Sequence, residues 1–303
     1  MSALTRLRLP ITILIAVVFA ALLALAAWSS TAEANHSWGG YHWARTSNPF
    51  TLKLGDNVTN AWDTYLRQAS SVAGYNDWTD SSVLNTTVVT GQSTANCRPT
   101  AGRVEVCNSN YGNNGWLGIA GIYVSGKHIT QGYTKLNDTY FNTKTYNTPA
   151  WRRLVMCQEV GHTFGLDHQD EKFDNANLGT CMDYTNDPNG GVGGASSTDP
   201  SNERPNKHDY NQLSTIYQQH LDSTTTVGQI SSTANKPPAA AANEADLDDD
   251  PRNFGQLIRL SPDRRLALYE KDLGAERRVF RFVIWADGAP QTNGKGRQGE
   301  PTS

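Results

Sequence analysis

The chain has 303 residues, which is long enough for one large core with appendages or for two domains. Its formal net charge at pH 7 is −3, and its 26 Lys and Arg residues are scattered along the chain. A basic surface of the kind that binds nucleic acid is therefore not expected.

The N-terminus has the features of an export signal. Basic residues precede an apolar run at residues 11–28, and a small-x-small sequence that ends at Ala34 follows it. We expect residues 1–34 to be a signal peptide that is removed by cleavage between Ala34 and Asn35. The apolar run is also just long enough to span a bilayer, so an uncleaved membrane anchor is the alternative. In either case the rest of the chain lies outside the cytoplasm, and we expect a secreted monomer.

Four cysteines fit an exported protein: Cys97, Cys107, Cys157 and Cys181. An even number in such a chain favours two disulfide bonds, although the sequence alone allows three pairings. We prefer Cys97–Cys107, because that bond closes a short loop, together with Cys157–Cys181. Free buried thiols are the alternative, and a four-cysteine zinc site is disfavoured because no CxxC pair occurs.

Strands and one helix are predicted for the first half of the exported chain. Residues 50–54 alternate as a strand does, and apolar residues take helical spacing at residues 58–69. Further strands are expected between turns rich in Gly and Asn. These strands lie at residues 83–90, 103–106, 116–124 and 128–134.

The best-marked helix begins after Thr148, which can cap it, and Pro149 suits its first position. Gly165 is a natural stop, because glycine tolerates the left-handed conformation that ends many helices. A last helix is expected at residues 208–221. Its apolar stripe is formed by Tyr210, Leu213, Ile216, Tyr217 and Leu221.

The composition changes beyond residue 222. Residues 223–252 are rich in Ser and Thr, then in Pro and Ala, then in acidic residues, which is typical of a disordered linker. Residues 253–287 regain β character in three short runs, and we expect a small β unit that either docks on the main domain or binds a partner. Residues 288–303 are expected to be disordered, and the main domain is placed at residues 35–222.

The residues that could bind a metal or catalyse a reaction are concentrated in the string CQEVGHTFGLDH at residues 157–168. Gln158 and His162 are four residues apart, so they share a helix face, and Glu159 lies beside them. A glycine further along lets the chain turn back, so that His168 can approach the same point. Three converging ligands with one open position suit a zinc ion, and a carboxylate next to a ligand can take a proton from water.

This string resembles the zinc-binding motif of the metzincin peptidases, HExxHxxGxxH, with Gln158 where those enzymes have their first histidine. Met182, in the sequence Cys-Met-Asp-Tyr, resembles the methionine turn that lies beneath the metal in that family. Residues 117–124 and 208–217 resemble the substrate-side edge strand and the C-terminal helix of the matrixin branch. The likeness covers residues 41–221.

The resemblance implies an α+β catalytic domain with a twisted mixed sheet, an active-site helix, the methionine turn and a C-terminal helix. It implies a secreted zinc-dependent endopeptidase with Glu159 as the general base. The ligands of one Zn²⁺ ion would be His162, His168 and Gln158. The substrate would be a protein or peptide that lies antiparallel to the edge strand at residues 116–122.

The resemblance bears on two further features. A Cys157–Cys181 disulfide would join the active-site helix to the methionine turn. Matrixins often have an inhibitory propeptide in which a cysteine caps the zinc ion. The first cysteine of this chain is Cys97, so inhibition by that route is not expected.

Gln158 leaves several interpretations open. A glutamine oxygen can bind zinc and is neutral like imidazole, but it is the poorer donor for this ion, so zinc affinity should fall. The chain could be an enzyme with Gln158 as a ligand, an enzyme that recruits another group, or an inactive relative that binds peptides. A helix with purely structural Glu and His residues and an interaction protein that works through its β tail are further alternatives. We favour the active enzyme, because the rest of the motif is intact.

The other candidate ligands are weaker. His128 is expected to be a sheet residue and His208 to open the last helix, while His36 and His42 are expected at the surface. The acidic run at residues 248–250 could bind Ca²⁺. A solvated linker is the favoured interpretation of that run, so a calcium site is not supported.

Overall fold

The computed structural model has an α+β architecture in which one mixed sheet is combined with a few helices. It describes residues 36–71, 77–93, 96–191, 198–228, 249–286 and 288. The expected signal peptide and its cleavage site, most of the expected linker and the expected tail beyond residue 288 lie outside the described residues. Among the described residues, no helix is both long and apolar enough to cross a bilayer.

The described residues form the following strands and helices. The strands are β1 (His42–Trp43), β2 (Phe50–Asn57), β3 (Leu84–Thr90), β4 (Val104–Ser109), β5 (Trp116–Ser125), β6 (His128–Asn137), β7 (Gln256–Leu260), β8 (Leu266–Gly274) and β9 (Arg277–Trp285). The α-helices are α1 (Asn60–Ala69), α2 (Asp138–Phe141), α3 (Pro149–His162) and α4 (Lys207–Gln218). Short 3₁₀ turns occur at Trp78–Asp80 and Pro251–Asn253.

The two best-marked helices lie where the sequence predicts them. Helix α3 begins after Thr148, whose side chain accepts a hydrogen bond from the backbone N–H of Trp151 at 3.2 Å. Helix α4 ends at Gln218, before the end expected from its apolar pattern. The expectation that Leu221 belongs to the buried stripe is wrong, because the helix ends before it and 55% of this residue is exposed.

The sheet has the strand order β3-β2-β4-β6-β5-β9-β8-β7, and β1 pairs with the start of β6. The pairs among β3, β2, β4 and β6 are parallel. Strand β5 runs antiparallel to β6, and the three C-terminal strands continue the sheet in antiparallel pairs. The expected β unit therefore lies against the main domain as three added strands.

Strand β5 is not an edge of the sheet, which corrects the expectation for residues 116–122. Strand β9 pairs along its whole length, from Trp116 opposite Trp285 to Ser125 opposite Arg277. Every residue of β5 except Ser125 is buried, as expected for a central strand. The sequence run of β5 is correspondingly apolar, a pattern that does not show which strands are its neighbours.

Side-chain alternation along β5 separates two cores. Ala120 and Ile122 face the layer of helices and belong to the large core cluster. Ile119 and Tyr123 face the opposite layer, together with the first disulfide and an aromatic group from β8 and β9. The helix side of β5 is therefore the side on which the motif of residues 157–168 can approach the sheet.

Two disulfide bonds occur, and they are the two pairs predicted from the sequence. Cys97 is joined to Cys107, and Cys157 is joined to Cys181. The second bond attaches α3 to the turn that contains Met182 and closes a loop with a sequence separation of 24 residues. A loop of that size corresponds to roughly 3.5 kcal/mol in the chain-entropy model. Both bonds fit a chain that is exported from the cytoplasm.

His36 and His42 are buried, which corrects the expectation that they lie at the surface. The His36 ring stacks on the ring of His208 with centroids 4.8 Å apart, and His42 lies in β1. The neighbouring Trp43 is fully buried and donates its indole N–H to the carbonyl oxygen of Thr163 at 2.9 Å. That contact, together with the pairing of β1 and β6, holds the N-terminal segment against the end of α3.

The described ends of the expected linker make contacts with the main domain. The backbone N–H of Thr226 donates to the carbonyl oxygen of Ala44 at 2.9 Å. In the acidic run, Asp249 accepts a hydrogen bond from Lys135 at 2.6 Å, and Asp250 accepts one from Arg252 at 2.9 Å. These two carboxylates are therefore paired with cations, which gives no support to a calcium site in this run.

Helix α4 begins with a capping box that also attaches it to the turn before Met182. Asp209 Oδ2 accepts a hydrogen bond from the backbone N–H of Asn206 at 2.7 Å and one from Thr180 Oγ1 at 2.5 Å. Burial raises the pKa of Asp209 to about 6, against the lowering effect of these hydrogen bonds. His36 Nε2 lies 3.7 Å from Asp209, but burial lowers the pKa of His36 to about 4, so it is neutral near pH 6.

The stability of the variant Asp209→Asn, relative to that of wild type, should increase as the pH rises. The carboxyl has a pKa of about 6 in the folded chain against an ordinary value of 3.8, so the wild type loses stability as the pH rises through this interval. Asparagine does not ionise. The free energy of unfolding of the variant relative to wild type should therefore increase by up to roughly 3 kcal/mol between about pH 4 and pH 7.

Urea unfolding at the two pH values measures the effect at Asp209. The exposed Asp174→Asn controls for the loss of one negative charge. A stability difference between Asp209→Asn and wild type that does not change with pH would contradict the raised pKa.

Candidate metal and catalytic site

The chain reverses direction after α3 at Gly165. This residue has a φ of +91°, and a Cβ atom there would lie 2.2 Å from the carbonyl oxygen of Tyr41. Glycine is therefore required both by the left-handed backbone and by the close approach of another segment. The reversal brings His168 back to the end of α3.

His162 and His168 meet at this reversal. Their Nε2 atoms lie 3.1 Å apart, and both residues are buried. The Nδ1 atom of His162 lies 2.9 Å from the carbonyl oxygen of Leu166, which can only accept, so Nδ1 has the proton and Nε2 has a lone pair. Burial lowers the pKa of His162 well below its ordinary value, so this imidazole is neutral.

Gln158 lies one helical turn before His162. Its Nε2 atom donates to the backbone carbonyl oxygen of Asp183 at 3.4 Å. Its Oε1 atom is buried and has no hydrogen-bond partner among the described residues. The turn that contains Met182 therefore orients the side-chain amide, and the acceptor atom Oε1 remains without a hydrogen-bond partner among the described residues.

Glu159 is fully buried where α3 packs against β5. A Cβ atom at Gly118 would lie only 2.6 Å from Glu159 Oε1. Neither carboxyl oxygen has a hydrogen-bond partner of normal geometry among the described residues. Burial raises the pKa of Glu159 well above its ordinary value, and the backbone amide of Ala120 opposes that rise. The site thus contains a buried proton-accepting group beside a strand backbone.

Met182 lies under the helix that bears these residues. It is fully buried, and a Cβ atom at Gly161 would lie 2.6 Å from its sulfur atom. Its carbonyl oxygen accepts a hydrogen bond from the backbone N–H of Gln169 at 2.6 Å. The adjacent Cys181 is joined to Cys157 of α3. The turn, the helix and the segment after His168 are therefore held together.

Two of the candidate donor atoms at the end of α3 have a spacing compatible with ligands of one zinc ion. A tetrahedral ion with Zn–N distances of about 2.0–2.1 Å has its ligand nitrogens roughly 3.3 Å apart, close to the separation of the two imidazoles. The unpartnered Oε1 of Gln158 is a third donor, one helical turn from His162. A glutamine oxygen and imidazole nitrogens with a lone pair add no charge to a bound ion, so it would retain its own.

The structure places a residue at this site that the sequence did not predict. Phe282 of β9 lies opposite Ala120 in the β5–β9 register. Its ring stacks on the ring of His162 with centroids 4.1 Å apart and an interplanar angle of 4°. The alternation of Phe280, Phe282 and Ile284 predicts a strand with one apolar face, but it does not identify the strand with which β9 pairs.

A second unpredicted contact involves Arg259 of β7. Its Nη1 atom donates to Asp167 Oδ2 at 2.6 Å, next to His168 in the chain. Burial acts to raise the pKa of Asp167, but hydrogen bonds from His168 and Arg259 hold it below its ordinary value. Asp167 is therefore a carboxylate that is fixed by a residue of the C-terminal strands.

Comparison with known proteins adds no family assignment. No family model matches the sequence, and no curated protein sequence matches it either. The functional interpretation therefore depends on the motif and on the geometry of the residues described above.

The substitution Gly118→Ala should disturb the packing of Glu159. The added Cβ atom would lie 2.6 Å from Glu159 Oε1 and 2.8 Å from Val155 Cγ1, and both side chains lie in a packed interior. We expect a loss of about 1–3 kcal/mol in the free energy of unfolding. Gly132→Ala in β6 is the matched control, because its nearest neighbouring atom would be 3.4 Å away.

Denaturant unfolding of the two glycine variants measures this difference. An equal loss in Gly118→Ala and Gly132→Ala would show that the contact with Glu159 is not as close as described.

Proposed function

We propose that the chain is a secreted zinc-dependent endopeptidase of the metzincin type, similar to the matrixin branch. The main support is that the His162 and His168 Nε2 atoms lie 3.1 Å apart at the end of the helix that also bears the buried Glu159. The unpartnered acceptor atoms of Gln158 and Glu159 give further support. Buried polar atoms without partners cost free energy, and a bound ion and a substrate would supply the missing partners.

The proposed ligands are Gln158, His162 and His168. The chemistry that zinc supplies when bound is that of a Lewis acid, which polarises the scissile carbonyl and lowers the pKa of a water molecule. His162 is oriented for this role by its hydrogen bond to Leu166 at 2.9 Å, and Gln158 by its hydrogen bond to Asp183 at 3.4 Å. Such supporting contacts fix the tautomer and the direction of a ligand.

Glu159 is proposed as the general base. It accepts a proton from the attacking water and donates it to the leaving amine of the cleaved peptide bond. Its position beside Gly118 places the carboxyl at the backbone of β5. A substrate that pairs with β5 would therefore present its peptide bonds to this carboxyl. Pairing through the backbone makes a protein or peptide in extended conformation the expected substrate.

A second candidate is a metzincin-like protein that binds peptides without cleaving them. The observation that favours it is Gln158 itself, because an amide oxygen is a weaker donor for zinc than imidazole. Stable pairing of β5 with another strand, as occurs with β9, would suffice for such a protein. A monomer acting outside the cytoplasm is proposed in both cases, and the two disulfides fit that location.

Substitutions at Glu159 and Gln158 should have different effects. Glu159→Gln keeps the shape of the side chain but removes the base, so zinc should stay bound while hydrolysis falls by roughly 10²-fold or more. Gln158→His introduces a third imidazole and should tighten zinc binding by about tenfold or more, with activity kept or raised. His162→Ala and His168→Ala should release zinc.

Zinc affinity is measured by competition with a chelator. The rate of hydrolysis is measured with an unfolded protein as the substrate. The exposed Gln92→His controls for the addition of a histidine away from the site. If neither wild type nor Gln158→His binds zinc, the proposed metal site is refuted. Hydrolysis that is equal in wild type and Glu159→Gln would instead favour the peptide-binding protein.

A further inference from the structure

The C-terminal β unit, defined here as Gln256–Trp285, occupies the place in which we put the substrate. Strand β9 is antiparallel to β5 and pairs with the backbone groups that an extended substrate would use. In this register Phe282 lies opposite Ala120, and Phe280 lies opposite Ile122. A substrate and β9 therefore cannot bind to β5 at the same time.

The side chains of β9 also cover the candidate metal site. The Phe282 ring is stacked 4.1 Å from the His162 ring and lies 6.3 Å from the His168 ring, measured between centroids. Trp38 packs against Phe280 and Phe282 at 4.7 Å and 4.8 Å. We call the space between β5 and residues 167–173 the groove. On the side that faces α3, Phe280 and Phe282 occupy two adjoining aromatic positions in it.

The β unit is also attached to the other side of the groove, which is formed by residues 167–173. Arg259 bonds to Asp167 and lies 3.3 Å from Glu171. The Arg265 guanidinium lies over the ring of Phe173, 4.8 Å from its centroid. Contacts on both banks, β5 on one side and residues 167–173 on the other, close the groove.

The pairing pattern allows the β unit to leave as one piece. Strands β7, β8 and β9 pair with each other in sequence order, and only β9 pairs with the main sheet. Its departure would break one ladder of backbone pairing, that between β5 and β9 inside the sheet, and leave the order β3-β2-β4-β6-β5 intact. The β unit has the arrangement of a bound peptide ligand that is covalently part of the chain.

We infer that the β unit is an internal ligand that keeps the groove closed, and that the groove selects extended peptides with aromatic side chains at two alternate positions. This inference rests on the proposed function for its identification of the groove as the substrate site. The two selected positions are those of Phe282, next to the candidate ligands, and Phe280. The unit must be displaced before an external peptide can bind.

The test uses the full chain with a recognition site for a specific protease inserted within residues 229–248. Cutting there removes the high effective concentration of the β unit. Binding of a labelled peptide with the sequence of residues 277–285 is then measured by fluorescence anisotropy. We expect binding at least about tenfold tighter after cutting than before, and about tenfold tighter than for a peptide with alanine at both Phe positions.

Charge reversal at Arg259 provides a second arm of the test. Arg259→Glu removes the attachment to Asp167 and should further raise the peptide affinity of the cut chain. Arg277→Glu is the matched control, because Arg277 bonds to the carbonyl oxygens of Leu273 and Gly274 within the unit. Equal peptide affinity before and after cutting, or loss of cooperative unfolding after cutting, would overturn the inference.

Hydrogen exchange in the unaltered chain gives an independent measurement. If β9 is a displaceable ligand, its amides should exchange at least about tenfold faster than those of β4 and β6. Equal rates would overturn the inference. Tight peptide binding to the cut chain, without hydrolysis in the presence of zinc, would leave the inference standing and refute the proposed peptidase.

A different cluster of side chains forms a second possible metal site. His42 Nε2 lies 3.3 Å from His220 Nε2 and 3.5 Å from Asp222 Oδ1. The ligand atoms of His42, His220 and Asp222 all lie within 4.8 Å of one another. His128 Nε2 lies 3.1 Å from the same Asp222 oxygen. The separations match the distance of roughly 3.3 Å between ligand atoms on a tetrahedral zinc ion.

The neighbours of this cluster orient its donor atoms. The Nδ1 atom of His42 lies 2.9 Å from the carbonyl oxygen of Gly40, which leaves Nε2 free to act as a ligand. Asp222 Oδ2 accepts a hydrogen bond from Arg45 at 2.8 Å, which leaves Oδ1 on the side of the histidines. His220 is exposed, so an ion can reach the cluster from solvent.

The geometry points to a second zinc ion held by His42, His220 and Asp222, with His128 adjacent. Such an ion would join β1 to the segment after α4, and so connect the two ends of the main domain. Its role would be structural, because its ligands come from two separate segments of the chain. This site is independent of the one at the end of α3.

Zinc stoichiometry of the full chain, with thermal unfolding before and after chelation, tests this site. Wild type should bind two ions, while His220→Ala should bind one and lose part of the chelator-sensitive rise in Tm. Gln219→Ala, at the exposed neighbour, should behave as wild type. Unchanged stoichiometry and Tm response in His220→Ala would overturn the site. Wild type could instead bind one ion that is lost in His220→Ala and kept in His168→Ala. That result would support this second site and refute the proposed catalytic site.

Discussion

Helix α3 and strand β5 are packed so closely that only a glycine fits at residue 118. This contact determines which face of the helix is turned towards the sheet, and hence where Glu159 lies. His162, one turn later on the same helix, then lies where the chain reverses at Gly165 and returns as His168. The relative positions of Glu159 and the two imidazoles therefore follow from one interface and one turn.

Polar atoms of Gln158 and Glu159 are buried near this interface without hydrogen-bond partners among the described residues. A buried carboxyl and a buried amide oxygen normally have hydrogen-bond partners, and their absence costs free energy. Glu159 and Gln158 lack such partners among the described residues, although α3 is otherwise well capped and packed. A purely structural helix would gain stability from apolar residues at these two positions. The two polar groups are therefore the basis of the proposal that an ion and a peptide bind here.

Much of the fold could be predicted because its determinants are local. Thr148, Pro149 and Gly165 mark the ends of α3 and its turn in the sequence itself, and the strands show their alternation directly. The pairing of β9 with β5 could not be predicted, because alternation identifies a strand without identifying its partner. For the same reason the stacking of Phe282 on His162 was not expected. The burial of His42 depends on β1, which has only two residues and no periodicity to detect.

The disulfide between Cys157 and Cys181 joins the residue before Gln158 to the residue before Met182. One bond therefore spans the helix that bears the donors and the turn that orients the glutamine amide. Thiols stay reduced in most cytoplasmic compartments and are oxidised after export. A chain in a reducing compartment consequently lacks this restraint between the helix and the turn. Formation of the covalent link between α3 and the turn is thus tied to an oxidising compartment.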